Sequence, residues 1–172
     1  AAMKYLTLIR HAKSAGKGSG MRDIERPLAD RGKDDCRTIG SVLAANLPIP
    51  DAIVASNAVR VTETLQHLLS RIREASGSSA SQEPLIEPEV HEALYLADAE
   101  TIWDVAYSAL LEYEEVWMCG HNPGIEEAIE YLSGSRIEDV PTLAVARISF
   151  EEIVPEQPLG TLLYFDVPKN HR

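Results

Sequence analysis

The chain of 172 residues is 45% hydrophobic and carries a formal net charge of −11. This length and composition fit one compact domain with a sizeable core. The negative charge argues against nucleic acid as a partner, because binding to a phosphate backbone relies on many lysines and arginines. No apolar run approaches the roughly 20 residues that span a bilayer, so no membrane association is expected.

Domain boundaries and cellular setting follow from a few further features. We expect a single domain over residues 3–168, with residues 1–2 as a remnant of expression and residues 169–172 as a disordered tail. The N-terminus lacks the pattern of a secretion signal, and two cysteines are too few for a disulfide framework. The sequence therefore predicts a cytoplasmic protein with reduced cysteines.

The charge is unevenly distributed along the chain. Up to Arg37 there are nine Lys and Arg against five Asp and Glu, whereas the remainder carries seven against twenty-two. A local cationic region on an acidic protein is suited to attracting an anion. A solvated basic loop would have the same composition.

The first predicted element is a buried strand that ends at a cation and an imidazole. Residues 5–12 read Y-L-T-L-I-R-H-A, and the small, polar stretch K-S-A-G-K-G-S-G follows as a loop. Arg10 and His11 would thus lie at the carboxyl end of a parallel strand, where open α/β sheets form their ligand crevices. An anion is the ligand that this pair favours, although a strand can also end in a charged residue simply to reach water.

A helix, a second strand and a second helix come next. The first helix is predicted from apolar and small residues at helical spacing, namely Cys36, Ile39, Gly40, Leu43 and Leu47. Residues 51–56 predict the strand, which runs directly into the second helix. Arg60 would lie in the first turn of that helix, with Ser56 or Asn57 as its N-cap.

The second half of the chain continues the alternation. After a loop over residues 77–84, a helix is predicted from about residue 99 to residue 113, with Asp98 as N-cap. Residues 116–119 predict a third buried strand, which ends in Gly120 and His121. Asn122 would cap the next helix, with Pro123 at its first position and Gly134 at its end.

Two alternating segments, residues 143–150 and 161–167, predict a final pair of strands. They would form an antiparallel C-terminal hairpin at one edge of the sheet. The fold class predicted for the whole chain is therefore α/β, with a mostly parallel central sheet and helices on both faces.

Three strand ends would bring Arg10, His11, Arg60 and His121 around one small volume. No H-E-x-x-H pattern and no paired C-x-x-C is present, so we expect no metal and no cofactor. Ile125 stands six residues after Cys119, where a cysteine-based phosphatase would carry an arginine. The sequence therefore indicates a metal-free site made of arginine and histidine.

With these motifs the sequence resembles the histidine phosphatase superfamily, whose fold is phosphoglycerate-mutase-like. The matching patterns are R-H-A at 10–12, S-x-x-x-R-x-x-x-T at Ser56, Arg60 and Thr64, and G-H at 120–121. The stretches R-P-L-A-D-R-G at 26–32 and G-H-N-P-G at 120–124 are similar, more narrowly, to short bacterial phosphohistidine phosphatases of the SixA type. The resemblance extends over nearly the whole chain.

The resemblance implies a role for each site residue. His11 would be the nucleophile that forms a phosphohistidine intermediate, while Arg10, Arg60 and His121 would bind the phosphoryl oxygens. Glu92 would be the general acid, as mutase-like members carry a Glu there, although a surface Glu before a helix would look the same. A histidine starting near the unperturbed pKa of about 6.5 would give the activity an acidic limb.

The leading hypothesis is hydrolysis of phosphohistidine on a partner protein. The alternatives are a small-molecule phosphomonoesterase of the same superfamily and, from another class, a non-catalytic phosphate-binding or phosphoprotein-binding module. Ala12 replaces the glycine of the commonest first motif. This change narrows the space beside His11 and leaves the expected roles intact.

Overall fold

The structure is a computed structural model that describes residues 2–77 and 86–172. Ala1 and nearly all of the predicted loop over residues 77–84 lie outside the described residues. The main elements, in chain order, are β1 (Lys4–Arg10), α1 (Asp30–Asn46), β2 (Ala52–Ala55), α2 (Val59–Ala75), β3 (Glu89–Val90), α3 (Ala99–Leu110), β4 (Glu115–Gly120), α4 (Gly124–Ser133), β5 (Val145–Phe150) and β6 (Thr161–Asp166).

These strands form one sheet in the order β3-β2-β4-β1-β5-β6. The first four of these run parallel, and β5 pairs antiparallel with both β1 and β6. The predicted fold class is confirmed, including the antiparallel hairpin at one edge. The strand β3 at the opposite edge was not predicted, because two exposed residues give no hydrophobic pattern.

Helices cover both faces of the sheet and produce two separate apolar cores. Side chains alternate along a strand, so Leu6 and Leu8 point to one face while Ile9 points to the other. The helices α3 and α4 pack on the first face, and α1 and α2 pack on the second. Both faces of the central strands are therefore buried, which explains why apolar residues predominate on both sides of those strands, with Thr7 of β1 as a buried polar exception.

The helix ends differ in part from the predictions. Asp98 is the N-cap of α3, as predicted, and accepts a hydrogen bond from the backbone of Thr101 at 2.9 Å. Ala58 is the N-cap of α2, so the prediction of Ser56 or Asn57 is wrong. The N-cap is the residue at which the backbone enters the helix, and Ser56 lies two residues before it. The hydroxyl of Ser56 contacts His121 in the candidate site.

The helix α4 also starts one residue later than predicted. Pro123 is its N-cap, while Asn122 still accepts a hydrogen bond from the backbone of Glu126 at 3.2 Å. Gly134 closes the helix at a φ of 71°, a left-handed conformation that glycine adopts without steric cost.

The C-terminal residues are held in place, which corrects the prediction of a disordered tail over residues 169–172. A 3-10 helix spans Pro168–His171. The ring of His171 contacts the Asp166 carboxylate at 2.7 Å, and Arg172 pairs with Asp35 at 3.0 Å. The pair of Arg172 and Asp35 joins residues 137 positions apart, so it could not be read from the polar local sequence.

The glycine of R-P-L-A-D-R-G permits a close backbone contact. A Cβ on Gly32 would lie 2.2 Å from the backbone oxygen of Lys13. That oxygen accepts a hydrogen bond from the backbone of Ala29 at 2.9 Å. The first turn of α1 is thereby packed on the chain that leaves β1, which anchors both ends of the intervening loop.

Both cysteines, Cys36 and Cys119, are free and buried in the core beneath α1 and α2. Burial raises the pKa of both thiols, that of Cys36 to about 12. In the described part of the chain, no helix is long and apolar enough to cross a membrane.

Candidate active site

The carboxyl ends of β1, β2 and β4 meet at one edge of the sheet. Arg10 is in register with Gly120, and the backbone of His11 donates to the oxygen of Gly120 at 3.0 Å. Ser56, just past β2, donates from its backbone to Cys119 at 3.2 Å. These backbone bonds continue the ladder of the sheet beyond the strand ends, so they fix the positions of His11 and Ser56 relative to β4.

His11 is buried and holds one defined tautomer. Its Nδ1 lies 2.7 Å from the backbone oxygen of Ala12, and a carbonyl oxygen can only accept, so Nδ1 carries the proton. The ring lone pair is therefore on Nε2, which accepts a hydrogen bond from Nε of Arg60 at 3.3 Å. His11 thus presents an unprotonated nitrogen beside a guanidinium.

Arg60 joins the two site histidines. It is a buried cation in the first turn of α2, and its Nη2 lies 3.4 Å from Nδ1 of His121. The rings of His11 and His121 meet edge to face, with centroids 5.3 Å apart. The structure therefore brings together three of the predicted site residues.

The S-x-x-x-R-x-x-x-T pattern has a structural explanation. Nδ1 of His121 accepts from Arg60, so Nε2 carries the proton and donates to the hydroxyl of Ser56 at 2.8 Å. Thr64 accepts from the backbone of Ala12 at 2.9 Å and donates to the backbone oxygen of Arg60 at 2.6 Å. The serine and threonine thus fix the surroundings of both histidines.

Arg10 borders the same site. Its Nη1 donates to the backbone oxygen of Val140 at 3.0 Å, and its buried Nε has no hydrogen-bond partner among the described residues. Its charge contributes to lowering the pKa of both His11 and His121, after the larger effect of burial. A buried donor without a partner is energetically unfavourable, and an oxyanion would satisfy it.

Glu92 is not in contact with these groups. It lies on an exposed turn of 3-10 helix, Glu92–Leu94, after β3. The carboxylate forms no hydrogen bond or ion pair with the described residues, and the backbone of neighbouring His91 donates to Ala55 at 2.8 Å. The turn thus borders the crevice, and the role of Glu92 as an acid stays a prediction.

Three side chains in the site were missed by the sequence reasoning. Asp23, in a 3-10 helix Asp23–Glu25, pairs with Arg60 at 2.9 Å and with Arg26 at 3.1 Å. Tyr95 donates its hydroxyl to Asp23, and its ring meets that of His121 edge to face at 5.3 Å. Arg26 is the first residue of the R-P-L-A-D-R-G stretch, and that motif was the one sequence feature that could have indicated a role for Arg26 in the site.

Burial lowers the pKa of His11 to about 4 and that of His121 to about 3. Desolvation penalises the charged imidazoles most strongly, and the cation of Arg60 opposes protonation of both rings. Both histidines are therefore neutral near pH 7, and the sequence-based estimate of about 6.5 for His11 is corrected downwards.

We expect His11 to titrate with a midpoint near pH 4, well below an unperturbed histidine at about 6.5. Because the pKa is depressed, Nε2 keeps its lone pair until the pH falls through that value, and any reaction needing the lone pair is lost only below it. Ring resonances followed by NMR would measure the midpoint, with the signal assigned from its loss in His11→Ala. A midpoint at or above about 6.5 would contradict the buried, neutral ring.

Metal ligands are not clustered in the part of the chain that the structure describes. No group of three or more His, Cys, Asp or Glu side chains is placed to hold an ion there. The site is instead built from guanidiniums and imidazoles around a lone pair, an arrangement that suits binding and attack on a phosphoryl group.

No protein-family model matches the sequence. An uncharacterized chloroplastic protein of Arabidopsis thaliana is 29% identical over 144 residues, which cover 78% of this chain and 62% of the relative. An uncharacterized protein of Mycobacterium tuberculosis is 48% identical over 59 residues, which cover 34% of this chain and 37% of the relative. The chain thus spans less than two thirds of the length of these relatives.

Solved structures match nearly the whole chain. The protein assigned as phosphohistidine phosphatase SixA of Agrobacterium tumefaciens has a TM-score of 0.79 at 25% identity, covering 98% of this chain and all of that one. A tungstate complex of the protein histidine phosphatase SixA has a TM-score of 0.79 at 20% identity, covering 98% and 99%. A mycobacterial glucosyl-3-phosphoglycerate phosphatase has a TM-score of 0.66 at 14% identity, covering 94% and 97%. The chain therefore has the phosphoglycerate-mutase-like fold of the histidine phosphatase superfamily, as its motifs predicted, with SixA phosphohistidine phosphatases among its structural neighbours.

Proposed function

We propose that this protein is a phosphatase that works through a covalent phosphohistidine on His11. The observation that carries the proposal is the tautomer of His11, whose proton is fixed on Nδ1 by Ala12 and whose Nε2 lone pair lies 3.3 Å from Nε of Arg60. A neutral imidazole nitrogen is a competent nucleophile, and an adjacent guanidinium suits the oxygens of the group under attack.

The reaction has two steps. In the first, Nε2 of His11 forms a bond to phosphorus while the bond to the leaving atom breaks, and the leaving atom takes up a proton. In the second, water attacks phosphorus, the Nε2–P bond breaks, the lone pair returns to Nε2, and orthophosphate is released.

Positive charge around the crevice would stabilise the transferring group. Arg60 and Arg10 supply guanidinium donors, and Arg10 has a buried Nε available for an oxygen. His121 is neutral with its present partners, but a bound phosphoryl dianion would raise its pKa and favour a cationic, donating ring. These charges act on non-bridging oxygens, where negative charge is present throughout transfer.

As the substrate we propose phosphohistidine on a partner protein. One line of support comes from the SixA neighbours, whose names state that chemistry. A second is that the described part of the site offers little help in protonating a leaving group. Within the described residues the site holds no acid in contact with His11, and an imidazole leaving group departs more readily than an alkoxide.

A small phosphomonoester is the second candidate substrate. It is supported by the fold shared with a glucosyl-3-phosphoglycerate phosphatase. Release of orthophosphate should be measured from an aryl phosphate, an alkyl phosphate and a phosphohistidine peptide, each with and without EDTA. We expect the peptide to give the highest kcat/KM and EDTA to have no effect, whereas binding without release would favour a non-catalytic module, and loss of activity in EDTA a metal-assisted mechanism.

The Glu92→Gln variant tests the acid. If Glu92 protonates the leaving oxygen, this change should slow hydrolysis of an alkyl phosphate by about 10²-fold or more, and that of phosphohistidine or an aryl phosphate far less. Glu100→Gln is the matched control, because Glu100 is also exposed but lies in the first turn of α3. Equal losses for good and poor leaving groups would exclude the acid role and leave the roles of His11 and the arginines intact.

A further inference from the structure

We propose that Asp23 is a positioning residue that orients Arg60 for phosphoryl transfer. The inference rests on the proposed function and extends it to a residue that none of the sequence motifs includes. It starts from the charge balance at Arg60, whose side chain is only 3% exposed, whereas that of Asp23 is 48% exposed. A buried cation requires a partner, and Asp23 reaches it from the solvent side.

Asp23 and the two site histidines contact different edges of the Arg60 guanidinium. Nη1 donates to the backbone oxygen of Asp23 at 2.7 Å, and Nη2 donates to its carboxylate at 2.9 Å. Nε and the second hydrogen of Nη2 are directed at His11 and His121. The outer Nη1/Nη2 edge is therefore held by Asp23, and the inner Nε/Nη2 edge faces the two histidines, where a phosphoryl oxygen pair would be bound in the bidentate manner of arginine.

Asp23 is itself fixed by two further donors. The hydroxyl of Tyr95 donates to Oδ2, and Nε of Arg26 donates to Oδ1 at 3.1 Å. The hydrogen bond from Tyr95 and the bonds and charge of Arg60 hold the pKa of Asp23 well below its usual range. A permanently ionised carboxylate cannot serve as a general acid, and it is a constant electrostatic anchor for Arg60.

The loop that carries Asp23 is tied to the same framework as the site. The backbone of Ala15 donates to Pro27 at 2.8 Å, and the backbone of Leu28 donates to the carboxylate of Glu63 on α2 at 2.7 Å. Arg60 and Glu63 lie one turn apart on α2, so the helix holds the loop at two points. The helix α2 thus carries Arg60 and also fixes the loop on which Asp23 lies.

Asp23 could instead compete with phosphate for Arg60. The two roles predict opposite effects of removing the Asp23 carboxylate on anion binding and on kcat/KM. A competing carboxylate occupies the face that receives the ligand, so its removal tightens anion binding and raises kcat/KM. A positioning carboxylate holds the opposite edge, so its removal loosens the guanidinium, and misplacement of about 1 Å costs up to about 10²-fold in rate. The edge assignment favours positioning.

The test compares Asp23→Asn, which keeps the shape and removes the charge, with Glu25→Gln. Glu25 is in the same 3-10 helix and pairs only with Arg22 at 3.6 Å among described residues, so its loss leaves Arg60 untouched. We expect Asp23→Asn to lower kcat by about 10- to 100-fold with little change in KM, and to weaken inhibition by vanadate, a mimic of the transition state, by a similar factor. Tyr95→Phe, which removes one donor to Asp23, should show a smaller loss of the same kind.

Calorimetric binding of vanadate to wild type and Asp23→Asn gives a second readout that needs no turnover. Weaker binding by the variant supports the positioning role even if wild type releases no phosphate, in which case the proposed phosphatase activity alone fails. Equal or tighter binding by Asp23→Asn, or a wild type that binds no vanadate, overturns the inference. A loss of kcat in Glu25→Gln equal to that in Asp23→Asn would overturn it as well, since the effect would then belong to the loop.

Discussion

Replacing His11 with alanine is expected to abolish phosphate release, with a rate loss of roughly 10⁴-fold or more. The change removes the Nε2 lone pair that lies beside Nε of Arg60. The lone pair of His121 is on Nδ1, beside a different nitrogen of Arg60, Nη2, and its protonated Nε2 is turned to Ser56, so we do not expect His121 to replace His11. With radiolabelled substrate and a denaturing, alkaline quench, wild type should retain acid-labile phosphate on the chain and His11→Ala should retain none.

The control for this experiment is His67→Ala, which removes an exposed histidine from α2. Circular dichroism of the His11 variant should match wild type, so that loss of the fold does not account for loss of turnover. Phosphate release by His11→Ala at a rate near that of wild type, or acid-labile label still bound to it, would assign the nucleophile to another residue.

Replacing Arg60 with lysine should slow all substrates by about 10²- to 10³-fold, the scale of a lost oxyanion donor. Lysine keeps one positive charge but loses the planar fork, so it cannot contact the phosphoryl group, His11 and Asp23 together. The expected loss is equal for an aryl phosphate and for phosphohistidine, because non-bridging oxygens are common to both. Steady-state kcat/KM values for the two substrates provide the measurement.

Arg71→Lys is the matched control, since Arg71 lies on the same helix and contacts Ser41 and Glu74 away from the site. It should leave kcat/KM within about twofold of wild type. If Arg60→Lys were equally mild, the planar fork would be unnecessary, and a role of Arg60 limited to net charge would replace the one proposed.

The sheet and its site edge were predictable because each depends on a local pattern. Apolar residues predominate in the segments before Arg10 and before His121, as expected for strands covered by helices on both faces. Parallel strands place their carboxyl ends together, so the meeting of His11 and His121 follows from topology. The edge strand β3 and the C-terminal pair of Arg172 and Asp35 depend on tertiary contacts, and no local pattern encodes them.

Polar contacts within the site were harder to predict. Ser56 has a side chain typical of an N-cap, and its hydroxyl accepts hydrogen bonds from the buried ring of His121 and from the backbone of Ala58 just before α2. Asp23 and Tyr95 are 72 residues apart in the chain and meet only because a loop and a short turn close over the same crevice. Their residue types, one acid in an ordinary loop and one tyrosine before a helix, are too common to mark a function.

The burial of Cys36 and Cys119 bears on the sensitivity of this protein to oxidation. Hydrogen peroxide inactivates phosphatases whose nucleophile is an exposed thiolate, and thiolate character and exposure govern that damage. In this protein both thiols are buried in the core, and burial raises their pKa. The proposed nucleophile is an imidazole. If the protein is the proposed phosphatase, its turnover should therefore persist at peroxide concentrations that inactivate cysteine-dependent phosphatases.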